Sequence, residues 1–238
     1  MKTVIVALFV SLLSLAGFSQ KQFVVDADAE MRDISTPFTS IKVSGGISLY
    51  LSQAEEVAVA VSAPDASLRD AIRTKVDNGQ LNIYFENDGK WRLKNKKLVV
   101  YVSFNDLKRL DASGASDIIV AGKLNLPSLE MHMSGASDFK GDVEVTSLKL
   151  FLSGASDVYL TGTATNLNIE SSGASDVKAY ELSAEICSAK ASGASDVHIT
   201  VQKELNVQAS GASKVLYKGD AVIKDIQNSG ASTVSKRG

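Results

Sequence analysis

The chain has 238 residues, 45% of them apolar, enough for a substantial core and too many for a disordered chain. Lys and Arg number 25 against 27 Asp and Glu, so the net charge of -2 supplies no basic field and excludes a dedicated nucleic-acid binder. A single cysteine, Cys187, excludes an intramolecular disulfide and a cysteine-built zinc cage, while 17 Gly against 3 Pro is an imbalance that needs a structural cause.

Lys2, the apolar run 4–15, and the small residues Gly17 and Ser19 have the order of a signal peptide cut before Gln20. The apolar run is shorter than the ~20 residues that cross a bilayer, no cysteine follows it to accept a lipid, and no later stretch is apolar enough to span a membrane. Residues 1–19 are therefore expected to be a signal peptide. Residues 20–238 are expected to be one exported domain, periplasmic, cell-surface or secreted.

From Phe23 to about Leu110 the pattern alternates with period two and predicts strands over 40–51, 57–62, 80–85 and 98–104. Pro64 and Asp65 open a short helix expected over 66–75, with Leu68 and Ile72 on its buried face, and Asn78-Gly79 marks a turn. The basic stretch 90–97 around Trp91 is expected to be a solvated hairpin loop. The segment 20–110 forms either a cap or irregular first rungs, and its alternation favours rungs.

The tetrapeptide SGAS then starts at Ser113, Ser134, Ser153, Ser172, Ser192, Ser210 and Ser229, at spacings of 18 to 21 residues. Seven copies at that period predict an all-β solenoid with rungs of about 18–21 residues over 111–238, because helical solenoids need longer units and the leucine-rich pattern is absent. Positions one, three and five before the SGAS at Ser153, Ser172, Ser192 and Ser210 are apolar but for Ser171, as in Leu148, Leu150 and Leu152, and apolar residues recur after it, as in Val158 and Leu160. Each unit therefore reads as strand, glycine bend, strand and a variable return such as 161–166, which absorbs the differences in spacing. Gly114, Gly135, Gly154, Gly173, Gly193, Gly211 and Gly230 are expected at one structural corner, where stacked backbones leave no room for a Cβ. In this phase Cys187 falls among core positions, whereas His132 and His198 fall on outward ones.

Asp117, Asp138, Asp157, Asp176 and Asp196 follow the first five SGAS motifs, while Lys214 and Thr233 stand in the last two. Stacking places the five carboxylates in a column of like charges, which must be solvated, hydrogen-bonded to the corner backbone or bound to a cation. Calcium is the cation the donor type would take, although the sequence lacks the nonapeptide calcium repeat; Lys214 is placed to end the column by pairing with Asp196.

The opening segment Phe38-Thr-Ser-Ile-Lys-Val-Ser-Gly-Gly-Ile-Ser-Leu-Tyr-Leu51, the segment Asp77-Asn-Gly-Gln-Leu-Asn-Ile83 and the SGASD run through Asp196 resemble the bacterial autotransporter-adhesin head GIN domain family. The resemblance spans about 38–234. It implies a right-handed parallel β-helix in an exported or cell-envelope protein with an adhesin-like role, no established enzymatic activity and no catalytic residues to carry over. It departs from the SGASD pattern in the last two corners.

The residues favour a non-catalytic binding or scaffold module for an envelope, glycan or protein ligand, with no cofactor required. A polysaccharide-active β-helix enzyme is the alternative, but a uniform Asp column does not create the unlike environments that separate a general acid from a base. A third reading is a structural element that assembles end to end with further copies of itself.

Overall fold

The computed structural model describes residues 25–86 and 97–238. The expected signal peptide and nearly all of the basic loop around Trp91 lie outside the described residues. The strands are β1 (Glu30–Arg32), β2 (Ser40–Ser44), β3 (Ile47–Gln53), β4 (Ala58–Ser62), β5 (Ile72–Asp77), β6 (Gln80–Phe85), β7 (Leu98–Phe104) and β8 (Arg109–Ala112). The long strands β9 (Asp117–Met133), β10 (Asp138–Leu152), β11 (Asp157–Ser171), β12 (Asp176–Ala191) and β13 (Asp196–Ala209) follow, then β14 (Lys214–Lys218), β15 (Val222–Asn228) and β16 (Thr233–Lys236). The one helix among the described residues, α1, is Ala66–Ala71. All sixteen strands join one sheet, coiled as a β-solenoid of about seven turns.

Each long strand is one rung without its corner. Consecutive rungs pair in parallel, with Asp138 on Asp157 and Leu148 on Leu167, so every apolar column of the sequence becomes a column in space. The columns Leu148, Leu167, Cys187, Leu205 and Leu150, Ile169, Ala189, Val207 are buried in a hydrophobic cluster that extends from Phe38 to Val215. The return segment 161–166 is not a loop. It lies inside β11 and pairs with both neighbours, because a backbone left unpaired between stacked rungs would bury unsatisfied N–H and C=O groups. Differences in rung length are taken up by bulges, between Lys140 and Asp142, Tyr159 and Thr161, and Ala179 and Ser183.

The glycine of each SGAS corner has a φ between 71° and 77°. Its carbonyl accepts the N–H of the alanine in the next corner, as in Ala155 N to Gly135 O at 2.7 Å. A Cβ on Gly154 would lie 2.5 Å from Gly135 O, so the corners stack only because the side chain is a hydrogen. In the first six corners the second serine is buried and donates its hydroxyl to the carbonyl of the first, as in Ser137 to Ser134 at 2.7 Å. The alanine faces solvent.

An eighth, degenerate corner splits the strand expected over 40–51. Ser44-Gly45-Gly46-Ile47 aligns with Ser113-Gly114-Ala115-Ser116, since Ser48 is in register with Asp117. Ile47 takes the buried place of the second serine, and Gly45 and Gly46 turn the chain at φ 91° and 73°.

The N-terminal part contributes both rungs and a cap. β2 lies between β6 and β8, and β3 between β7 and β9, so the first rung in sequence is flanked on both sides by later chain. Antiparallel β5 covers β6, antiparallel β4 covers β7, and β1 covers β4. The helix is shorter than the 66–75 expected. Asp65 caps it by accepting Leu68 N at 2.9 Å, but Ile72 is already extended, and Ile72 to Asp77 form β5 because pairing with β6 outweighs weak local helix preference. The Asn78-Gly79 turn joins β5 to β6 with both residues at positive φ.

Candidate functional site

The SGAS corners form a ridge with a carboxylate column on the side that follows and a groove on the side that precedes. In the column, Asp117, Asp138, Asp157, Asp176 and Asp196 are register partners in turn. Lys178 crosses between two of them, with Nζ 3.0 Å from Asp157 Oδ2 and 3.2 Å from Asp176 Oδ2. It also donates to Tyr159 Oη at 2.9 Å. Burial works against its ammonium, yet the hydrogen bonds to Tyr159, Asp157 and Asp176 outweigh that and hold Lys178 above the ordinary lysine range. Lys214 Nζ lies 3.3 Å from Asp196 Oδ2, the pairing expected from the sequence. Among the described residues no lysine is at contact distance from Asp138. Burial, then the charges of Asp157 and Asp117, push its carboxyl above the usual range.

Calcium at this column would face an ammonium at three of the five carboxylates. No group of three or more His, Cys, Asp or Glu side chains is gathered for a metal among the described residues. The seven corner glycines shape the ridge and offer no side chain to a ligand.

The groove has a volume of about 870 Å³ and crosses six consecutive corners, from Ser134 to Ser229. Its floor is the first serine of each corner and the residue before it; its wall is the outward column His132, Phe151, Glu170, Lys190, Gln208 and Gln227. The composition changes along its length. His132 stacks on Phe151 with ring centroids 4.6 Å apart, Glu170 and Lys190 approach to 3.6 Å, and two glutamines follow.

At the His132 end, register pairing of β8 with β9 assembles a charged network. Arg109 faces Glu130 and Asp111 faces His132. Arg109 donates to Asp111 through Nε and Nη2 at 2.8 Å each, and Nη1 lies 2.9 Å from Glu130 Oε1. His132 Nε2 lies 2.7 Å from the same Glu130 oxygen. The hydrogen bond from His132 holds Glu130 below the ordinary carboxylate range against the effect of burial, and the Arg109 charge adds to it. The signal is in the sequence as two i, i+2 pairs, Arg109 with Asp111 and Glu130 with His132, which stand four and two positions before the SGAS at Ser113 and Ser134.

The structure also gathers aromatic side chains that look sparse in the sequence. Tyr50 and Tyr101 stack at 5.3 Å, His198 stacks on Tyr180 at 5.0 Å, and Lys178 lies 4.6 Å over the Tyr159 ring. Both histidines are on outward phases, as expected. Cys187 is fully buried, and burial pushes its thiol up to about 12, which removes it from any nucleophilic role.

Residues 37–221 match the family described as "Putative auto-transporter adhesin, head GIN domain". No curated protein matches the chain. Among solved structures, a putative adhesin from Bacteroides fragilis NCTC 9343 is 20% identical with a TM-score of 0.78, covering 89% of this chain and 98% of its own. A putative adhesin from Parabacteroides merdae ATCC 43184 is 16% identical with a TM-score of 0.63, covering 89% and 96%. A putative lipid binding protein from Parabacteroides distasonis ATCC 8503 is 18% identical with a TM-score of 0.62, covering 90% and 98%. At these identities the likeness is one of fold. With its stacked corners, its parallel register and a family match over most of its length, the chain belongs to the head GIN domain family.

Proposed function

We propose that the protein is an exported, non-catalytic, adhesin-like module that holds a linear glycan of the cell envelope along the groove beside the SGAS ridge. The observation that carries this reading is the groove itself, which spans six corners and repeats its serine at every rung, about 4.8 Å apart. Such a surface presents the same hydroxyl acceptors again and again along one direction, which suits a ligand that is itself a repeating, hydroxyl-rich chain. The His132 and Phe151 rings offer an apolar face to a sugar ring, while Glu170, Lys190 and Gln208 offer hydrogen bonds of both kinds. Each contact is weak and solvent-exposed, so affinity grows with the number of rungs engaged.

A catalytic role has less support. The Arg109, Asp111, Glu130 and His132 network has the residue types of an acid and base pair, but Arg109 already engages both carboxylates and Glu130 engages His132. Export rests on the N-terminal pattern of Lys2, the apolar run and Ser19, together with the auto-transporter description of the family.

Binding of envelope oligosaccharides of increasing length, measured by calorimetry on the purified protein, tests the reading. Affinity is expected to rise with length until the oligomer spans the groove. Ser172→Arg together with Ser192→Arg, which fill its middle, should weaken binding by roughly tenfold or more, about 1.4 kcal/mol. Binding that ignores both length and these substitutions would overturn the proposal.

A further inference from the structure

The two ends of the solenoid differ. Among the described residues the first rungs are covered by α1 and the antiparallel strands β1, β4 and β5, whereas β15 and β16 have parallel pairing on one edge only, to β13 and β14. All seven residues of β15 are exposed. Ile223 and Ile226 nevertheless continue core columns, in register with Leu205 and Val207, which are 0% and 1% exposed. They are 37% and 41% exposed because a rung covers them on one side alone. Among the described residues nothing pairs with the outer edge of β15, and an edge of this kind is a template for another strand.

We propose that two copies of the chain join tail to tail, β15 pairing antiparallel with β15 of the second copy so that Lys224 faces Asp225 across the two-fold axis. This occupant is selected by the strand's own sequence. In antiparallel register with Lys224 opposite Asp225 of the second copy, Ile223 falls opposite Ile226 and the pattern repeats in reverse on the other side of the axis. Two opposite-charge pairs lie on the outer face, where the bulge beside Asn206 places Lys224 and Asp225 together, and two Ile/Ile pairs lie on the core face. A parallel arrangement would instead set Lys224 on Lys224 and Asp225 on Asp225.

Existing contacts do not compete strongly. Lys224 Nζ is 3.5 Å from Glu204, and Asp225 accepts Gln227 Nε2 at 2.8 Å, both at the exposed surface where such contacts contribute little. Because β15 pairs with its own counterpart, the contact is isologous and closes at two copies.

Sedimentation velocity of the purified protein over a wide concentration range is expected to show a monomer–dimer equilibrium with no larger species. Lys224→Asp and Asp225→Lys should each weaken dimerisation by at least about tenfold, since each sets like charges face to face. An equimolar mixture of the two variants should recover the dimer, because opposite charges then meet at both positions. Circular dichroism identical to the parent chain would show that the terminal rung is intact in each variant. A monomer at every concentration, a dimer that both substitutions leave unchanged, or a mixture that recovers nothing would each overturn the proposal.

Discussion

Lys178 reaches back one rung to place its Nζ 3.0 Å from Asp157 Oδ2, while remaining 3.2 Å from Asp176 Oδ2 in its own rung. One ammonium thus binds two carboxylates that the parallel register forces together. Lys178→Met is expected to lower stability by about 1–2 kcal/mol, a modest value because all three groups are about a third exposed and solvent screens them. Urea denaturation at low and high salt checks this. The loss should include a component that shrinks as salt screens the repulsion left between Asp157 and Asp176.

Asp138 should behave in the opposite sense. Burial and the neighbouring Asp157 and Asp117 raise its carboxyl above the unfolded value, so its ionised form opposes folding at neutral pH. That penalty is present above the folded pKa and is relieved as pH falls through it. Asp138→Asn is therefore expected to raise Tm slightly at pH 7, with the gain disappearing in acid. A Tm series for both proteins from pH 7 down through the carboxylate range reads this directly.

Two glycines separate the conformational cost of a corner from its steric cost. Gly46 has φ 73° with nothing within 4 Å of a built Cβ, whereas Gly154 has φ 77° with Gly135 O at 2.5 Å. Gly46→Ala should cost on the order of 1 kcal/mol, from the left-handed backbone alone. Gly154→Ala adds a backbone clash that no side-chain rotation relieves, and should cost about 3 kcal/mol or more, or prevent the rung from stacking. Thermal unfolding of the pair gives the difference.

The Cys187 thiol is fully buried and pushed up to about 12 by that burial. Iodoacetamide at pH 8 should leave it unmodified in the native protein and label it at a rate that tracks unfolding as urea is added. Fast labelling in buffer would show that the rung containing Cys187 opens far more readily than its packing implies.

The repeat was legible because a solenoid converts sequence period directly into contact. Once SGAS fixed the phase, Cys187, His132, the Asp column and the Lys214–Asp196 pair all followed from counting. What failed to show were features that break the count. The corner at Gly45 and Gly46 lacks the serine and alanine that mark the others, so 40–51 looked continuous. Ile72 to Asp77 carried a start signal for helix immediately upstream, and only the distant β6 decides that they are a strand. The groove is visible to counting only as a row of serines, because its depth comes from how each strand enters its corner. The Arg109–Glu130 pairing, by contrast, was open to counting, since the two residues stand four positions before the SGAS at Ser113 and Ser134.

The interleaving at the capped end bears on how the molecule is made. β2 and β3 form the first rung in the chain, yet one flank of that rung is supplied by β6 and β7 and the other by β8 and β9. The earliest rung is thus enclosed only after two later rungs have been made, and it keeps an unpaired edge until the chain through β9 is present. Assembly cannot simply add one turn after another from the start of the chain. It must first close a non-local knot of strands at the capped end, a slow step of high contact order, after which each later rung adds to a template already in place.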